Sequence, residues 1–477
     1  MLACSTMLQR APNIHRSLIP NGGSQKQLRL GNKIAAMPNG RPPITVAIVG
    51  AGIVGLSLAI GLAARNVRVT VYERASDFRE IGAGIAFTGV ARRCMELLSP
   101  DILEALRRVS NENQHKQDNY WDGYYHSSSD GDDDDAAKGA FPDEQNLLFS
   151  LPNGNMAWWG CLRFEFLEEL SRVLPRGIVS FGKELASYED RGVGSGVSLQ
   201  FLDGSSAECD ILIGCDGVNS RVRKQMLAYS HPHACDASYT NKISFRFLVP
   251  VERSSLAIGT SKALNHCMHT GPRAHILSYP VAQGTISNVA VFLSTDSKAT
   301  SSSWGRDDVI KSFEAWRPEV QALLAHMPEC PMLWHIYDTA DCPAPYYSQG
   351  NIAIVGDAAH ASAPHHGAGA GFGIEDALAL ATVLALAEGE GEIMKPQGLV
   401  AALEAYNHVR YDRTQWLVRS SRETGDIYEW MYPSAGSNAH EIKRELAARQ
   451  EKIWNFDAEE IIASATKDFH ARIHPLR

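Results

Sequence analysis

Positive charge is what this sequence has too little of to serve one large class of partners. Its 477 residues hold 45 Lys and Arg against 54 Asp and Glu, a net charge of −9. A phosphate backbone needs a basic surface, so nucleic acid is excluded as a partner. Cysteine is scarce too: nine residues, an odd number, with no Cys-x-x-Cys pair. That excludes a disulfide framework and fits reduced thiols in a reducing, cytoplasmic setting. No Gly-x-Ser-x-Gly elbow occurs, which removes the commonest serine-hydrolase reading. There is no internal repeat, and no C-terminal stretch reads as a membrane anchor. One uncharged run, Val46 to Ala64, is about long enough to cross a bilayer. Its Gly50, Gly52 and Gly55 fit a buried strand entering a helix better, so no stable membrane insertion is expected.

What is present is ordinary globular composition, 44% hydrophobic and 21% charged, on a chain long enough for roughly two to three domains. The N-terminus is lopsided. No acidic residue precedes Glu73, while Arg10, Arg16, Lys26, Arg29, Lys33 and Arg41 supply positive charge. Residues 1–36 could be read as a mitochondrial leader. A disordered basic extension over 1–43, or an upstream start with Met37 as the usual initiator, is preferred and keeps the expected location cytoplasmic.

Hydrophobic patterning then predicts a strand over Ile44–Val49, a glycine turn, an apolar helix to Arg65 and a strand over Val67–Tyr72, the opening of a βαβ unit. Helices are expected over Val90–Leu98, Ile102–Val109 and Arg163–Leu174. The stretch 110–145 loses periodicity and carries the acidic run Asp132–Asp135, so it reads as a solvated insertion. An Asn153-Gly154 turn follows. From Tyr239 to Leu293 strand follows strand, a change of texture that suggests a second, mostly antiparallel sheet. A buried strand returns at Asn351–Val355, and helices dominate afterwards. The expected organisation is α/β: a Rossmann-type domain over 44–228, an inserted sheet domain over 229–347, a return over 348–390 and a helical region over 391–477.

Three motifs carry chemistry. Gly50-Ala51-Gly52-Ile53-Val54-Gly55 lies between strand and helix, with Glu73 ending the next strand. That context gives a dinucleotide site: glycines for the turn and close pyrophosphate approach, an acid for an adenosine ribose lacking a 2′-phosphate. Glu73 as a plain surface carboxylate is the alternative. Gly214-Cys215-Asp216-Gly217, running on to Arg221 and Arg223, puts Asp216 at the carboxyl end of a strand, where either a ligand or an ordinary helix cap would use it. Gly356-Asp357-Ala358-Ala359-His360 follows a buried strand and leads to Pro364-His365-His366-Gly367-Ala368-Gly369-Ala370-Gly371. Small residues ahead of a helix let a planar ligand approach the backbone and offer N–H groups to an anion. The histidine spacing gives no ligand pattern, so no metal is expected.

These motifs, in this order, resemble the single-component aromatic hydroxylases of the para-hydroxybenzoate and salicylate hydroxylase family. The runs Phe78-Arg79-Glu80-Ile81-Gly82-Ala83-Gly84, Ser244-Phe245-Arg246 and His275-Ile276-Leu277-Ser278-Tyr279 resemble a fungal subgroup, the 3-methylorcinaldehyde monooxygenases with the azaphilone and sorbicillinoid dearomatising hydroxylases beside them. The resemblance implies FAD as cofactor, NADPH or NADH as co-substrate, molecular oxygen and a small phenolic substrate, with a homodimer allowed. It implies that Gly50, Gly52, Gly55, Glu73, Gly84, Arg163, Asp216, Asp357, Gly367, Ala368, Gly369 and Ala370 hold FAD, and that Arg246 and Tyr279 hold the substrate phenolate. Read from the residues alone, Arg246 is as well a structural ion-pair partner and Tyr279 a half-buried sheet tyrosine. Phe247 departs from the pattern, where much of the family has glycine. The implied reaction is hydroxylation, with dearomatisation, of a phenolic polyketide aldehyde in secondary metabolism; decarboxylating hydroxylation of a salicylate-like acid and a flavin binder without oxygenase activity are the other readings.

Overall fold

A computed structural model describes residues 43–78, 84–124, 146–153, 158–297, 303–390 and 395–476. Residues 1–42 of the N-terminal extension, the whole run from Arg79 to Ala83, the glycine of the Asn153-Gly154 turn and the acidic run Asp132–Asp135 lie outside the described residues.

The βαβ opening forms as its sequence predicts. Strand Thr45–Val49 leads through the glycine turn into helix Ile53–Ala64, and strand Arg68–Tyr72 returns parallel beside the first. The uncharged run from Val46 to Ala64 is thus strand, turn and helix, nearly all of it in the core. A parallel strand with helices over both faces needs apolar side chains on both sides, which is why Val46 to Val49 is continuous rather than alternating. Six strands build this sheet in the order Ser348–Gln349, Ile352–Ile354, Ile211–Gly214, Thr45–Val49, Arg68–Tyr72, Val179–Ser180. All neighbours run parallel except the edge pair Ser348–Gln349 and Ile352–Ile354. Helix Gly369–Glu388 packs against Ile53–Ala64 within the main core. Among the described residues it is the one helix long and apolar enough to cross a membrane, and 83% of that span is buried inside the protein.

The second sheet has seven strands, ordered Leu333–Asp338, Ser238–Pro250, Ile286–Ser294, Ala274–Val281, Cys267–Gly271, Gln117–Asp122, Leu147–Pro152. Its neighbours are antiparallel except Cys267–Gly271 with Gln117–Asp122. Period-two alternation divides its faces. Phe245, Phe247, Ile276, Val289 and Val291 point to one side, where Phe313, Trp316, Val320 and Leu323 complete a core. Arg246, Leu277, Tyr279, Asn288, Ala290 and Phe292 point to the other and line a cavity.

One expectation is corrected here. The stretch 110–145, read as a solvated insertion, begins with structure: Asn111–Glu112 pairs with Trp159–Leu162, and Gln117–Asp122 is a strand buried from Asp118 onward. Its polar residues hide the pattern, because Asp118 faces the cavity and is hydrogen-bonded there rather than hydrated. Helices Lys395–Tyr428, Ala439–Trp454 and Ala458–Ile473 close the chain.

Candidate active site

The glycine turn makes one wall. Gly50 has φ +104°, and a Cβ there would lie 2.5 Å from the Cys215 carbonyl oxygen; at Gly55 it would lie 2.1 Å from the carbonyl oxygen of Gly50. Neither position has room for a side chain, so the backbone itself forms the surface. Gly52, Ile53 and Val54 face the cavity, with Cys215 and Gly217 beside them. The two expected acids accept hydrogen bonds from neighbouring backbone amides. Glu73 accepts from the amides of Ala51 and Ala75, both at 2.8 Å, and so braces the turn; it is not among the cavity-lining residues. Asp216 accepts from the Ser220 hydroxyl at 2.6 Å and the Arg221 and Val222 amides at 2.7 and 3.2 Å. Its carboxylate holds the start of helix Arg221–Leu227 together, the capping alternative.

Asp357, Arg163 and the start of helix Gly369–Glu388 converge on the cavity. Arg163 opens helix Arg163–Val173. Asp357 is open to the cavity yet enclosed by protein beyond it. Burial raises its carboxyl, and His360, Arg163 and Arg223 oppose that rise. Burial lowers the Arg163 guanidinium, Asp357 supports its charge and Arg246 opposes it. Gly367, in the left-handed region at φ +63°, Gly369 and Ala370 also line the cavity. Ala368 caps that helix and is buried beside Phe372 and Leu417. Of the histidines of this segment, His365 and His366 also line the cavity, with His365 edge-on to the rings of His275 and Phe292. His360 Nε2 lies 2.5 Å from Asp376, and His366 Nε2 lies 2.9 and 3.1 Å from the hydroxyls of Ser420 and Thr424.

Arg246 and Tyr279 meet on the cavity face of the seven-stranded sheet. Register makes the meeting: Arg246 pairs with Ala290 and Tyr279 with Asn288, two residues away on the shared middle strand. The Arg246 Nε is buried without a hydrogen-bond partner. Burial lowers this guanidinium, with Tyr279 acting the other way. Burial raises the Tyr279 phenol although Arg246 opposes it, so Tyr279 keeps its proton at neutral pH. Gly84 touches both halves of this site. Its amide donates to Asn288 Oδ1 at 2.9 Å, and a Cβ on it would lie 2.7 Å from the Tyr279 hydroxyl.

Other lining residues carried no motif. Asp118, 1% exposed, accepts from Trp158 Nε1 at 3.1 Å and Asn153 Nδ2 at 3.3 Å. Asn111, Asn113, His266, Trp158 and Trp454 share the cavity, whose volume is about 390 Å³.

A flat cofactor with a pyrophosphate fits these surfaces: a side-chain-free turn, a helix N-terminus of small residues and one arginine–aspartate pair between them. The comparisons agree. The family described as FAD binding domain matches residues 43–421. The FAD-dependent monooxygenase SAT7 of Stachybotrys chartarum is 49% identical over 444 residues, which are 90% of this chain and 92% of that protein. Salicylate hydroxylase asL1 of Sarocladium schorii is 41% identical over 456 residues, 91% and 92% of the two chains. A solved salicylate hydroxylase substrate complex superposes with a TM-score of 0.73 at 28% identity, covering 89% of this chain and 98% of that one. The chain therefore belongs to the FAD binding domain family, and it is a FAD-dependent aromatic monooxygenase with NAD(P)H as the co-substrate typical of that family.

Proposed function

We propose that this monooxygenase hydroxylates, and thereby dearomatises, a phenolic polyketide aldehyde in secondary metabolism, binding it as the phenolate between Arg246 and Tyr279. The observation that carries the reading is the buried, unpartnered Nε of Arg246 on the same cavity face as a phenol held in its protonated form. When bound, FAD supplies the oxygen chemistry, taking electrons from NAD(P)H and delivering one oxygen atom as an electrophile. The protein's part is to make the ring electron-rich. A fixed guanidinium favours the ionised phenol, and the Tyr279 hydroxyl donates to the same oxygen. Phe292, Trp158 and Trp454 line the cavity with apolar surface that keeps water from the reacting atoms. Where the attacked carbon bears a methyl group, loss of a proton cannot restore the aromatic ring, and a hydroxylated dienone remains.

Decarboxylating hydroxylation of a salicylate-like acid is the competing reading, given the relatives' names. A ligand with two ionisable groups would want two cations. The described lining offers Arg163 and Arg246, and Arg163 faces Asp357 electrostatically, which leaves one for the substrate. The test is product mass from FAD-loaded protein with NADPH, oxygen and 3-methylorcinaldehyde, with salicylate in parallel. One added oxygen on an intact aldehyde skeleton is expected; loss of the carboxyl carbon from salicylate, with the aldehyde untouched, would overturn the proposal.

A further inference from the structure

Two asparagines beside the phenolate site are oriented in opposite senses by backbone groups, and neither is used by the function above. Asn111 Nδ2 donates to the carbonyl oxygen of Pro280 at 3.0 Å. A carbonyl can only accept, so the Asn111 amide presents its Oδ1 elsewhere, and that oxygen is buried without a partner. Asn113 Oδ1 accepts from the backbone N–H of His266 at 2.6 Å. An N–H can only donate, so Asn113 presents its Nδ2, likewise buried and unpartnered. The network, not an arbitrary choice, fixes both amides. Both residues line the cavity, and Pro280 directly follows Tyr279, so Asn111 adjoins the phenol pocket, with Asn113 two residues further along the chain. Leaving such groups unmade costs about 1–3 kcal/mol each, a cost a ligand can remove.

We propose that Asn111 and Asn113 form a receptor for a second, un-ionised hydroxyl of the substrate, with Asn113 Nδ2 donating to it and Asn111 Oδ1 accepting from it. One acceptor and one donor match the two needs of a hydroxyl group. A carboxylate has no proton to give Asn111. It would also meet Asp118 on the same wall, both of whose oxygens accept hydrogen bonds as a carboxylate's do. The substrate class is therefore a ring with two separated hydroxyls rather than a monophenol or a benzoic acid. This rests on Arg246 and Tyr279 holding the first oxygen.

The experiment is a binding cycle on the FAD-loaded protein, read by the change in flavin absorbance. The ligands are 2,4-dihydroxybenzaldehyde and its 2-hydroxy and 4-hydroxy relatives. The wild type is expected to bind the dihydroxy compound about tenfold more tightly than the better monohydroxy one. Asn113→Asp keeps the acceptor for the His266 N–H and loses the donor. It is expected to abolish that preference while leaving the monohydroxy affinities unchanged. Equal wild-type affinity for all three ligands overturns the proposal without any variant, so a misfolded Asn113→Asp cannot shelter it. Parallel weakening of all ligands by a folded Asn113→Asp also overturns it. Arg246→Met is the control on the underlying reading: it should weaken every ligand, and if it weakens none, the phenolate assignment fails whatever the asparagines do.

Discussion

A methyl group at position 84 would have to displace the substrate machinery, since its carbon would stand 2.7 Å from both the Tyr279 hydroxyl and Asn288 Cγ. Gly84→Ala is therefore expected to raise KM for phenolic substrates about tenfold or more while the flavin stays bound. Steady-state kinetics beside the flavin absorbance of the purified protein check it; loss of FAD instead would mean that Gly84 supports the cofactor. Arg246 makes a pH prediction. Its charge favours the phenolate, so Arg246→Met should move the acid limb of the kcat–pH profile upward, toward the free phenol's pKa. Tyr279 adds no limb below neutrality, because burial raises its own pKa. An unmoved limb in Arg246→Met would sink its role in phenolate binding. At this scale the sequence was legible where chemistry sits in a contiguous motif, as at Gly50, Gly55 and Asp357. Arg246 and Tyr279 were legible only through resemblance. Asn288, Asn111, Asn113 and Asp118 were not, because strand pairing between distant segments assembles them. Glu73 and Asp216 show the converse: each lies where its motif puts it, with its oxygens taken up by nearby amides.

Among the elements, the helix whose N-terminus borders the cavity is bolted to its neighbour by buried charge. Arg410, from helix Lys395–Tyr428, reaches Asp376 at 2.8 Å and Glu375 at 2.8 Å on helix Gly369–Glu388, and all three are nearly inaccessible. Removing one partner of a buried ion pair strands the other, so Arg410→Met is expected to destabilise by about 3–5 kcal/mol. Asp376 also receives the Gly356 amide at 3.1 Å and His360, which ties the bolt to the Asp357 turn. FAD retention should fall together with the urea midpoint, and a variant that unfolds earlier yet holds FAD as tightly would separate the two. The elements themselves were legible wherever period was strong: the βαβ opening, helix Gly89–Leu98 and the strands Ser238–Pro250, Ala274–Val281 and Ile286–Ser294, but not the helices Val251–Ile258 and Thr260–Ala263 or the strand Cys267–Gly271 between them. Gln117–Asp122 was not, because a strand that pairs parallel with Cys267–Gly271 leaves no hairpin signal, and its neighbourhood is rich in Ser and Asp.

Across the whole molecule, buried carboxylates stand at separate places that acid would reach in the same range. Asp376 serves the nucleotide-binding half, Glu429 links helix Lys395–Tyr428's end to the sheet through Lys242 at 2.5 Å and His275 at 3.1 Å, and Glu319 meets Lys262 at 2.6 Å behind the sheet. Burial alone would raise all three. Their cationic and hydrogen-bonding partners reverse that, His360 and Arg410 for Asp376, His275 and Lys242 for Glu429, His269 and Lys262 for Glu319, holding each at about 2. A pKa lower in the folded than in the unfolded chain means stability that is complete above the ordinary carboxylate range, near pH 4, and lost as pH falls through about 2. The urea midpoint should accordingly drop steeply between about pH 5 and 2, with both sheets unfolding together rather than one outlasting the other. Glu429→Gln, measured by the same urea series, should lower stability at neutral pH and flatten that slope, since one of the protons taken up on unfolding is gone. If the slope is as steep without Glu429 as with it, the acid lability belongs to other groups, and the buried Lys242–Glu429–His275 link is held by packing rather than by charge.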